Sequence, residues 1–348
     1  MSFATEISRM GSHRFVRAQR PRARAARMMA WVLVAILGLV ALGACEQRRP
    51  LREVTLGLSW VHQAQFSGPY YADQRGLYAR EGLRATFVPA SATRDPMDEF
   101  VDGKYDFVIA QPDALIIARQ RGHRVVAVAA TYRIHPLVFL TLENSGIERP
   151  QDFRGKTIGV AYSEKLPLVA MLRKLAIDPD ETRIVQRTYG YDGLQKGEYD
   201  VVAAWRTNEL IHARRAGLSP NVIAPYDYGI TFYADVLAVR ESLIEQEPEL
   251  VARFVRATMR GWTHALQDPS ESAELALRYN QHLDPAHERE LLRASAPLIH
   301  TGTDQVGWMR AEDWDTMIKT LHEERSIPVR IGAAELYTTR FLAPVRSP

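Results

Sequence analysis

Cysteine is nearly absent from the chain, which has one residue of this type, Cys45, in 348. A single cysteine excludes an intrachain disulfide and a cysteine-rich metal cluster. The ten histidines form no HxxxH or HExxH pair, and the sequence contains no GxSxG motif and no phosphate loop of the GxxxxGKS or GxxxxGKT type. We therefore expect no metal site, no cofactor and no catalytic residues.

Positive charge is abundant only at the beginning of the chain. Residues 1–44 hold seven arginines and one acid, a net charge of +6, whereas the whole chain carries +3, so residues 45–348 carry −3. A nucleic-acid partner would require a basic surface on the folded part. The charge distribution therefore argues against nucleic acid as a partner.

The long uncharged stretch Met28–Ala44 follows the arginines. A positive segment, an apolar segment and small residues, in this order, are typical of a secretory signal peptide. Leu42 to Cys45 reads Leu-Gly-Ala-Cys, which resembles a bacterial lipobox, where the cysteine thiol accepts a diacylglycerol and so anchors the protein firmly. We predict a signal peptide at residues 1–44, lipidation of Cys45 and a polar tether at residues 45–53. The alternative is an uncleaved membrane anchor followed by a buried cysteine.

Short apolar segments alternate with helical segments between residues 54 and 204. Strand patterns lie at Val54–Leu58, Arg84–Val88, Phe107–Ala110, Val125–Ala130, Ile158–Val160, Ile184–Val185 and Val201–Ala204. Helices are predicted at Pro69–Glu81 and at about Pro112–Arg121, each followed by a glycine. Alternation of this kind predicts an α/β fold with parallel strands.

The last hundred residues are predicted to be mostly helical. Pro248–Gln267 is a long helix with Leu250, Phe254 and Trp262 on one face. Asp268 and Asp284 are each followed by a proline, and an acid before proline is a typical helix start. The chain is therefore α/β first and helical at its end.

A series of motifs recurs in a characteristic order. The motifs are Trp60, Gln63, Gln65 and Gly68 with Tyr70-Tyr71-Ala72, then Gly103–Phe107 leading to Ala110–Asp113, Gly155–Val160, Gly197–Asp200 leading to Trp205–Glu209, and Tyr228-Gly229 leading to Asp235. In this order they resemble the periplasmic substrate-binding proteins of ABC importers. Within these proteins the chain is similar to the branch that joins bacterial binding lipoproteins for thiamine-pyrimidine precursors to the fungal thiamine-pyrimidine synthases. The resemblance covers nearly all of residues 54–325.

The resemblance implies a two-lobed periplasmic binding protein fold of the type II-like kind. Two segments, near Tyr132–Leu140 and Gly229–Val239, would cross between the lobes as a hinge. The first lobe would comprise residues 54–135 and 236–348, and the second lobe residues 136–235. The ligand would lie in the cleft, where the carboxyl ends of the strands meet, and a hinge would close on it.

Eleven residues are candidates for holding the ligand. They are Trp60, Gln63, Gln65, Tyr70, Gln111, Asp113, Tyr162, Asn208, Glu209, Tyr228 and Asp235. Trp60 follows the first strand and can stack on a flat heterocycle, and Tyr162 can stack from the opposite lobe. Asn208 and Glu209 can pair with an aminopyrimidine edge, as amides pair with adenine.

Most of these residues also have a purely structural interpretation. Trp60 and Tyr70 can be core aromatics, and Gln63 and Gln65 can be polar residues of a surface loop. Gln111 and Asp113 start a helix, where the dipole favours an acid. Asn208 and Glu209 can be ordinary first-turn residues after a helix cap at Thr207. Tyr228 and Asp235 flank a crossing, where Asp235 can fix the hinge instead of bonding an amine.

The function that the resemblance implies is capture of a small heteroaromatic solute by a periplasmic, membrane-anchored lipoprotein that delivers it to an ABC permease and ATPase. A thiamine-pyrimidine precursor is the leading ligand, and flavins or sulfonates are the others. One alternative is an enzyme of thiamine-pyrimidine synthesis, although the fungal synthases use a cysteine cluster that this chain lacks. The other is a ligand-sensing module for a membrane signalling partner.

Overall fold

Ten strands form in the part of the chain that a computed structural model describes, namely residues 50–90, 95–161, 164–187, 190–302, 304–323, 327–328 and 331–342. In chain order they are β1 (Arg52–Gly57), β2 (Leu83–Val88), β3 (Phe107–Ala110), β4 (Val125–Ala130), β5 (Leu137–Thr141), β6 (Thr157–Val160), β7 (Arg183–Gln186), β8 (Val201–Trp205), β9 (Asn221–Ile223) and β10 (Val236–Arg240). The predicted signal peptide, Cys45 and Tyr162 lie outside the described residues.

Twelve α-helices accompany these strands in the described residues. They are α1 (Ser67–Gln74), α2 (Leu77–Arg80), α3 (Pro96–Val101), α4 (Pro112–Gln120), α5 (Lys165–Lys174), α6 (Asp192–Gln195), α7 (Glu209–Arg215), α8 (Glu241–Gln246), α9 (Pro248–Gln267), α10 (Pro269–Ala276), α11 (Pro285–Ile299) and α12 (Ala311–Glu323). Within those described ranges, none of the helices combines the length and the apolar character that crossing a membrane requires.

The first sheet has the strand order β2-β1-β3-β10-β4 and forms the centre of the first lobe. β1 runs parallel to β2 and β3, whereas β10 runs antiparallel to β3 and β4. Every residue of β3 and β4 is buried. Continuous apolar strands of this kind are typical of a sheet that is covered on both faces, which explains the uninterrupted apolar runs in the sequence.

The second sheet has the order β7-β6-β8-β5-β9 and forms the centre of the second lobe. β6 runs parallel to β7 and β8, and β5 runs antiparallel to β8 and β9. The two-lobed α/β fold class is thus confirmed. The seven predicted strands run in one direction within each sheet. β5 and β10, which the sequence did not identify as strands, are antiparallel to their neighbours, because each follows a crossing from the other lobe and enters its sheet from the opposite direction.

Two segments connect the lobes, residues 131–136 and residues 224–235. The first is shorter than predicted, because residues 137–140 lie in β5. The second begins earlier than predicted and ends at residue 235, because residues 236–239 lie in β10. The predicted extents of the lobes, residues 54–135 with 236–348 and residues 136–235, stay a prediction.

Hydrogen bonds join the two connecting segments to each other. The Thr131 N–H donates to the carbonyl oxygen of Asp235 (2.8 Å), and the Ala234 N–H donates to the carbonyl oxygen of Tyr132 (3.1 Å). The backbone of Asp235 is therefore held at the junction between the lobes, where its side chain turns toward the cleft.

The helix predicted at Pro69–Glu81 is interrupted. Residues 67–74 form α1 and residues 77–80 form α2, and Gly76 between them has a φ of +67°, in the left-handed region that favours glycine. Upstream of this break, the glycine of the Gly-x-Tyr motif has a packing role. A Cβ atom on Gly68 would lie 2.3 Å from the ring of Trp262 in α9, so glycine is what lets α1 approach the long helix so closely.

Candidate functional site

A cavity of about 360 Å³ lies between the lobes. The described residues that line it are Ser59, Trp60, Gln63, Gln65, Ala90, Asp95, Pro96, Gln111, Ala161, Glu164, Arg187, Trp205, Asn208 and Glu209. Most of them directly follow the carboxyl ends of β1, β2, β3, β6, β7 and β8. The carboxyl ends of strands in open α/β sheets are the usual position of a ligand, so the location itself supports a binding site.

The first-lobe wall is organised by the carboxylate of Asp235, which is 1% exposed. Gln65 donates Nε2–H to Oδ2 (2.6 Å), Ser59 donates its hydroxyl to Oδ1 (3.0 Å), and Gln111 donates Nε2–H to Oδ1 (3.3 Å). Burial raises the pKa of Asp235 to about 6. The hydrogen bonds from Gln65 and Ser59 lower this pKa, but burial has the larger effect. All three donors belong to the first lobe, so this side chain orients the wall.

Two of the three cavity glutamines, Gln63 and Gln65, form a chain of hydrogen bonds that ends at Asp235. Gln63 donates Nε2–H to Oε1 of Gln65 at 2.7 Å, and Gln65 in turn donates to Asp235. Both amide groups therefore have a fixed orientation, which is what a site needs if it is to distinguish donors from acceptors on a ligand.

The second-lobe wall contains a buried ion-pair cluster of Glu164, Arg187 and Glu209, which we call the acid–arginine cluster. Arg187 donates Nε–H to Oε2 of Glu164 (3.0 Å) and Nη2–H to its Oε1 (2.6 Å), and Nη2 lies 3.5 Å from Oε1 of Glu209. The side chains of all three are at most 6% exposed. Burial raises the pKa of Glu209, and the Trp205 N–H and Arg187 partly oppose this effect.

Backbone N–H groups fix the two glutamates of the cluster. Oε2 of Glu164 accepts from the Ala161 N–H (2.7 Å), and Oε2 of Glu209 accepts from the Trp205 N–H (2.9 Å). Each carboxylate thus has one oxygen held by a backbone N–H at the carboxyl end of a strand, that of Ala161 directly after β6 or that of Trp205 at the end of β8. Buried carboxylates need such partners, because an unpaired buried charge is strongly destabilising.

Two tryptophans contribute aromatic surface from opposite lobes. Trp60 follows β1 and is 42% exposed, so it is not a core residue. Trp205 ends β8 and packs edge-on against Tyr132 and His135 of the first connecting segment, with ring centroids 6.4 and 5.8 Å apart. A flat ligand entering the cleft would therefore meet an indole on each side.

Six of the predicted site residues line the cavity: Trp60, Gln63, Gln65, Gln111, Asn208 and Glu209. Asp235 lies directly behind them as their shared hydrogen-bond acceptor.

Three other predicted residues are placed elsewhere. Tyr70 is fully buried in the first lobe, where its ring stacks on Tyr279 at 4.0 Å between centroids and its hydroxyl lies 2.8 Å from Nδ1 of His62. Asp113 borders a separate small gap near the connecting segments and accepts from the Ala114 N–H (2.9 Å). Tyr228 is half-buried at the end of a short 3₁₀ turn and packs against the core beside the second sheet.

The polar and aromatic cavity residues that the sequence analysis did not identify are Ser59, Asp95, Glu164, Arg187 and Trp205. Four of the five lie at or just after the carboxyl end of a strand, where open α/β sheets bind their ligands. A search of the residues after β6 and β7, like that made after β1, β3 and β8, would have found Glu164 and Arg187. Among the described residues, no group of three or more histidine, cysteine, aspartate or glutamate side chains is arranged to hold a metal ion.

The two lobes and the ligand-sized cleft at their strand ends define a class of fold, two α/β lobes with a cavity between them. Comparison with known sequences gives the family. The profile described as "NMT1/THI5 like" matches residues 63–272, more than half of the chain, and the chain belongs to this family.

Three curated relatives match most of the chain. The riboflavin-binding protein RibY of Chloroflexus aurantiacus is 26% identical over 84% of this chain and 86% of its own length. The formylaminopyrimidine-binding protein of Halalkalibacterium halodurans is 24% identical over 83% and 92%. The 4-amino-5-hydroxymethyl-2-methylpyrimidine phosphate synthase of Legionella pneumophila is 23% identical over the same shares.

Among solved structures, the periplasmic aliphatic sulphonate binding protein SsuA of Escherichia coli superposes with a TM-score of 0.68. It is 16% identical, and the match covers 82% of this chain and 91% of that one. At this level of identity the likeness concerns the fold.

Proposed function

We propose that this protein captures a small heteroaromatic solute in the cleft and delivers it to an ABC permease and its ATPase. A thiamine-pyrimidine precursor is the first ligand that we propose. The observation that carries the proposal is the composition of the cavity walls, which combine a tryptophan from each lobe with oriented amides and carboxylates. Such walls suit a flat ring whose edge carries hydrogen-bond donors.

An aminopyrimidine has faces and edge groups that suit these walls. Its faces would stack on Trp60 and Trp205, and aromatic contacts contribute about 0.5–1.5 kcal/mol beyond the buried area. Its exocyclic amine would donate to the carboxylate of Glu209. Asn208, whose Oδ1 lies 2.9 Å from Nε2 of His287, lines the cavity beside Glu209 and would contact the ring nitrogens.

A flavin is the second candidate ligand. The volume of about 360 Å³ lies in the range of about 300–1,000 Å³ that is typical of pockets for small organic ligands, so it can hold more than one ring. The relative with the highest identity among the three described above is named for riboflavin. The carboxylates and amides of the cavity would serve the imide edge of a flavin as well as the amine of a pyrimidine.

We further propose that the protein acts on the periplasmic side of a membrane and is held there by a lipid on Cys45. The arrangement of residues 1–44 supports export, and the lipobox-like Leu42–Cys45 supports the anchor. The relationship to solute-binding proteins fits this location, because such proteins collect their solute outside the inner membrane.

An enzyme of thiamine-pyrimidine synthesis is the alternative that the synthase relative suggests. The cavity-lining residues that the structure describes include no cysteine and no histidine, whereas the fungal synthases that the sequence resembles use both. A sensor module for a membrane signalling partner is the other alternative. Neighbouring genes for a permease and an ATPase would favour transport over sensing.

The test is mass spectrometry of the small molecule released when protein purified from its native host is denatured. We expect a pyrimidine precursor or a flavin in a near-stoichiometric amount. A sulfonate, a sugar or an amino acid in that amount would contradict the proposal. Incubation of the protein with the released compound, followed by product analysis, separates binding from catalysis, because a binding protein returns the compound unchanged.

A further inference from the structure

We infer that the acid–arginine cluster makes the cleft exclude anions, so that the protein accepts a heteroaromatic solute only when it carries no phosphate or sulfonate group. The inference rests on the proposed function, since it specifies which members of that solute class can enter. It concerns Arg187 and the two glutamates that hold it, Glu164 and Glu209.

Arg187 is the only cation among the described residues that line the cavity. An arginine in such a position would ordinarily bind a phosphate or sulfonate through its planar fork. Here the fork is already occupied: Nε and Nη2 donate to both oxygens of Glu164, Nη2 also lies 3.5 Å from Glu209, and Nη1 donates to the carbonyl oxygen of Gly190 (3.4 Å). An anion could bind Arg187 only by displacing a buried carboxylate.

The net charge of the acid–arginine cluster also opposes the binding of an anion. Two ionised glutamates against one arginine leave an excess negative charge on the second-lobe wall, and Asp95 adds a third carboxylate to the lining. Behind the opposite wall lies the carboxylate of Asp235. Inside a protein cleft charges are screened less than in bulk water, so a further negative charge would meet stronger repulsion there.

The starts of α4 and α5 do not compensate for this charge. The N-terminus of an α-helix is a favourable position for a phosphate, and α4 and α5, of nine and ten residues, both begin beside the cleft. Each already has a carboxylate of the chain at its start, Asp113 in the first turn of α4 and Glu164 directly before α5. The positive ends of both helices are thus matched by internal acids.

The first part of the test compares each heterocycle with its phosphate ester on the wild-type protein. Calorimetry is run with 4-amino-5-hydroxymethyl-2-methylpyrimidine and its phosphate, and with riboflavin and its 5′-phosphate. We expect the ester to bind at least a hundredfold more weakly than its parent in the pair that binds. An ester that binds as tightly as its parent would overturn the inference and leave the proposed function intact, whereas failure of all four compounds would contradict the proposed function.

The second part of the test uses anions alone and therefore does not depend on the identity of the heterocycle. Inorganic phosphate and methanesulfonate are titrated into wild type, Glu209→Gln and the control Glu181→Gln, whose glutamate pairs with Arg154 on the exposed surface of the second lobe (2.6 Å). Glu209→Gln keeps the bidentate pair of Arg187 with Glu164 but removes the excess negative charge.

We expect no binding of either anion to wild type or to Glu181→Gln, and at least a tenfold gain in anion affinity for Glu209→Gln. Anion binding by wild type, or no gain in a Glu209→Gln variant whose circular dichroism is native, would overturn the inference. If Glu209→Gln does not fold, the wild-type titrations still decide the matter, because tight binding of phosphate or methanesulfonate by wild type contradicts exclusion.

Discussion

His287 and Asn208 are hydrogen-bonded across the cleft, with 2.9 Å between Nε2 of the imidazole and Oδ1 of the amide. His287 belongs to α11 of the first lobe, and Asn208 directly precedes α7 of the second lobe and lines the cavity. The ring of His287 also stacks on that of His212 in α7, with centroids 3.9 Å apart. Arg215 and Asp284 form an ion pair of 2.8 Å beside them. One edge of the cleft is thus held by contacts between lobes.

We predict that His287→Ala weakens closure of the lobes. The variant loses the bond to Asn208 and the stack on His212, so its unliganded form should have a larger radius of gyration than wild type in small-angle scattering. Bound ligand should reduce the radius of both proteins. The matched control is His264→Ala, since His264 stacks on Tyr71 within the first lobe. Equal radii for His287→Ala and wild type would argue against a role of this contact in closure.

The same contact should open at acidic pH. Burial lowers the pKa of His287 to about 4, and the charges of His212 and Arg215 act in the same direction. The carboxylate of Asp284 raises this pKa but does not outweigh them. An imidazole freed from the contact titrates near 6.5, so the closed form binds fewer protons and is disfavoured as the pH falls from about 6.5 toward 4. The radius of unliganded wild type should therefore rise between pH 7.5 and pH 5, and that of His287→Ala should stay constant.

Trp60→Ala should reduce ligand affinity at least tenfold and change the melting temperature of the unliganded protein little. The indole is 42% exposed, so its removal leaves no core cavity, while a stacked ligand loses both contact area and the aromatic interaction. Calorimetric titrations and thermal melts provide the two measurements. Tyr226→Ala is the control, because Tyr226 is 44% exposed and is not among the described residues of the cavity. An unchanged affinity in Trp60→Ala would remove this residue from the site.

Asp235→Asn should remove part of the pH dependence of folding stability. The pKa of Asp235 is raised to about 6, above that of an unfolded aspartate at about 3.9. The folded protein therefore binds more protons between pH 4 and pH 6, and this contribution to stability is lost as the pH rises through that window. Two pKa units correspond to a few kcal/mol at most, since one unit is about 1.4 kcal/mol.

Urea unfolding at pH 4.5 and pH 7 measures this effect for Asp235→Asn and for wild type. From pH 4.5 to pH 7 the free energy of unfolding of wild type should fall relative to that of the variant, because titration of the other groups is common to both proteins. Asp192→Asn on the exposed surface serves as a control that should reproduce the wild-type difference. An identical pH difference in Asp235→Asn would show that this carboxyl titrates normally.

Cys45→Ala should abolish attachment to the membrane through lipid. The prediction follows from the order of arginines, apolar segment and Leu-Gly-Ala-Cys in residues 1–45. Cells grown with labelled palmitate should label wild type and not the variant, which should then be found as an unprocessed precursor or as a protein released from membranes. Equal labelling of both proteins would contradict the lipoprotein proposal.

The strand pattern was the most informative part of the sequence. The uninterrupted apolar run Val125–Ala130 is the fully buried strand β4, and residues that follow strand ends, such as Trp60, Gln111 and Glu209, line the cavity. β5 and β10 lie largely in the segments predicted to cross between the lobes and were not identified as strands. Periodicity would not have given their direction, because an antiparallel strand has the same local pattern as a parallel one.

The acid–arginine cluster shows what a single sequence does not reveal. Glu164 and Arg187 are 23 residues apart and meet only because β6 and β7 are neighbours in the second sheet. Tyr70 illustrates the converse. Its motif predicts a contact with the ligand, yet the ring packs in the first-lobe core and stacks on Tyr279. Tyr279 is more than 200 residues away, so no local sequence pattern could predict this contact.

The central claim is that the cleft binds an uncharged heteroaromatic solute, and isothermal titration calorimetry of the wild-type protein tests it most directly. The titrants are formylaminopyrimidine, 4-amino-5-hydroxymethyl-2-methylpyrimidine, riboflavin and an alkanesulfonate, each at pH 7.5. The account predicts one-to-one binding of at least one of the first three compounds, with a dissociation constant of about 1 μM or lower, or about −8 kcal/mol, and no heat of binding for the sulfonate. Binding of the sulfonate alone would contradict it.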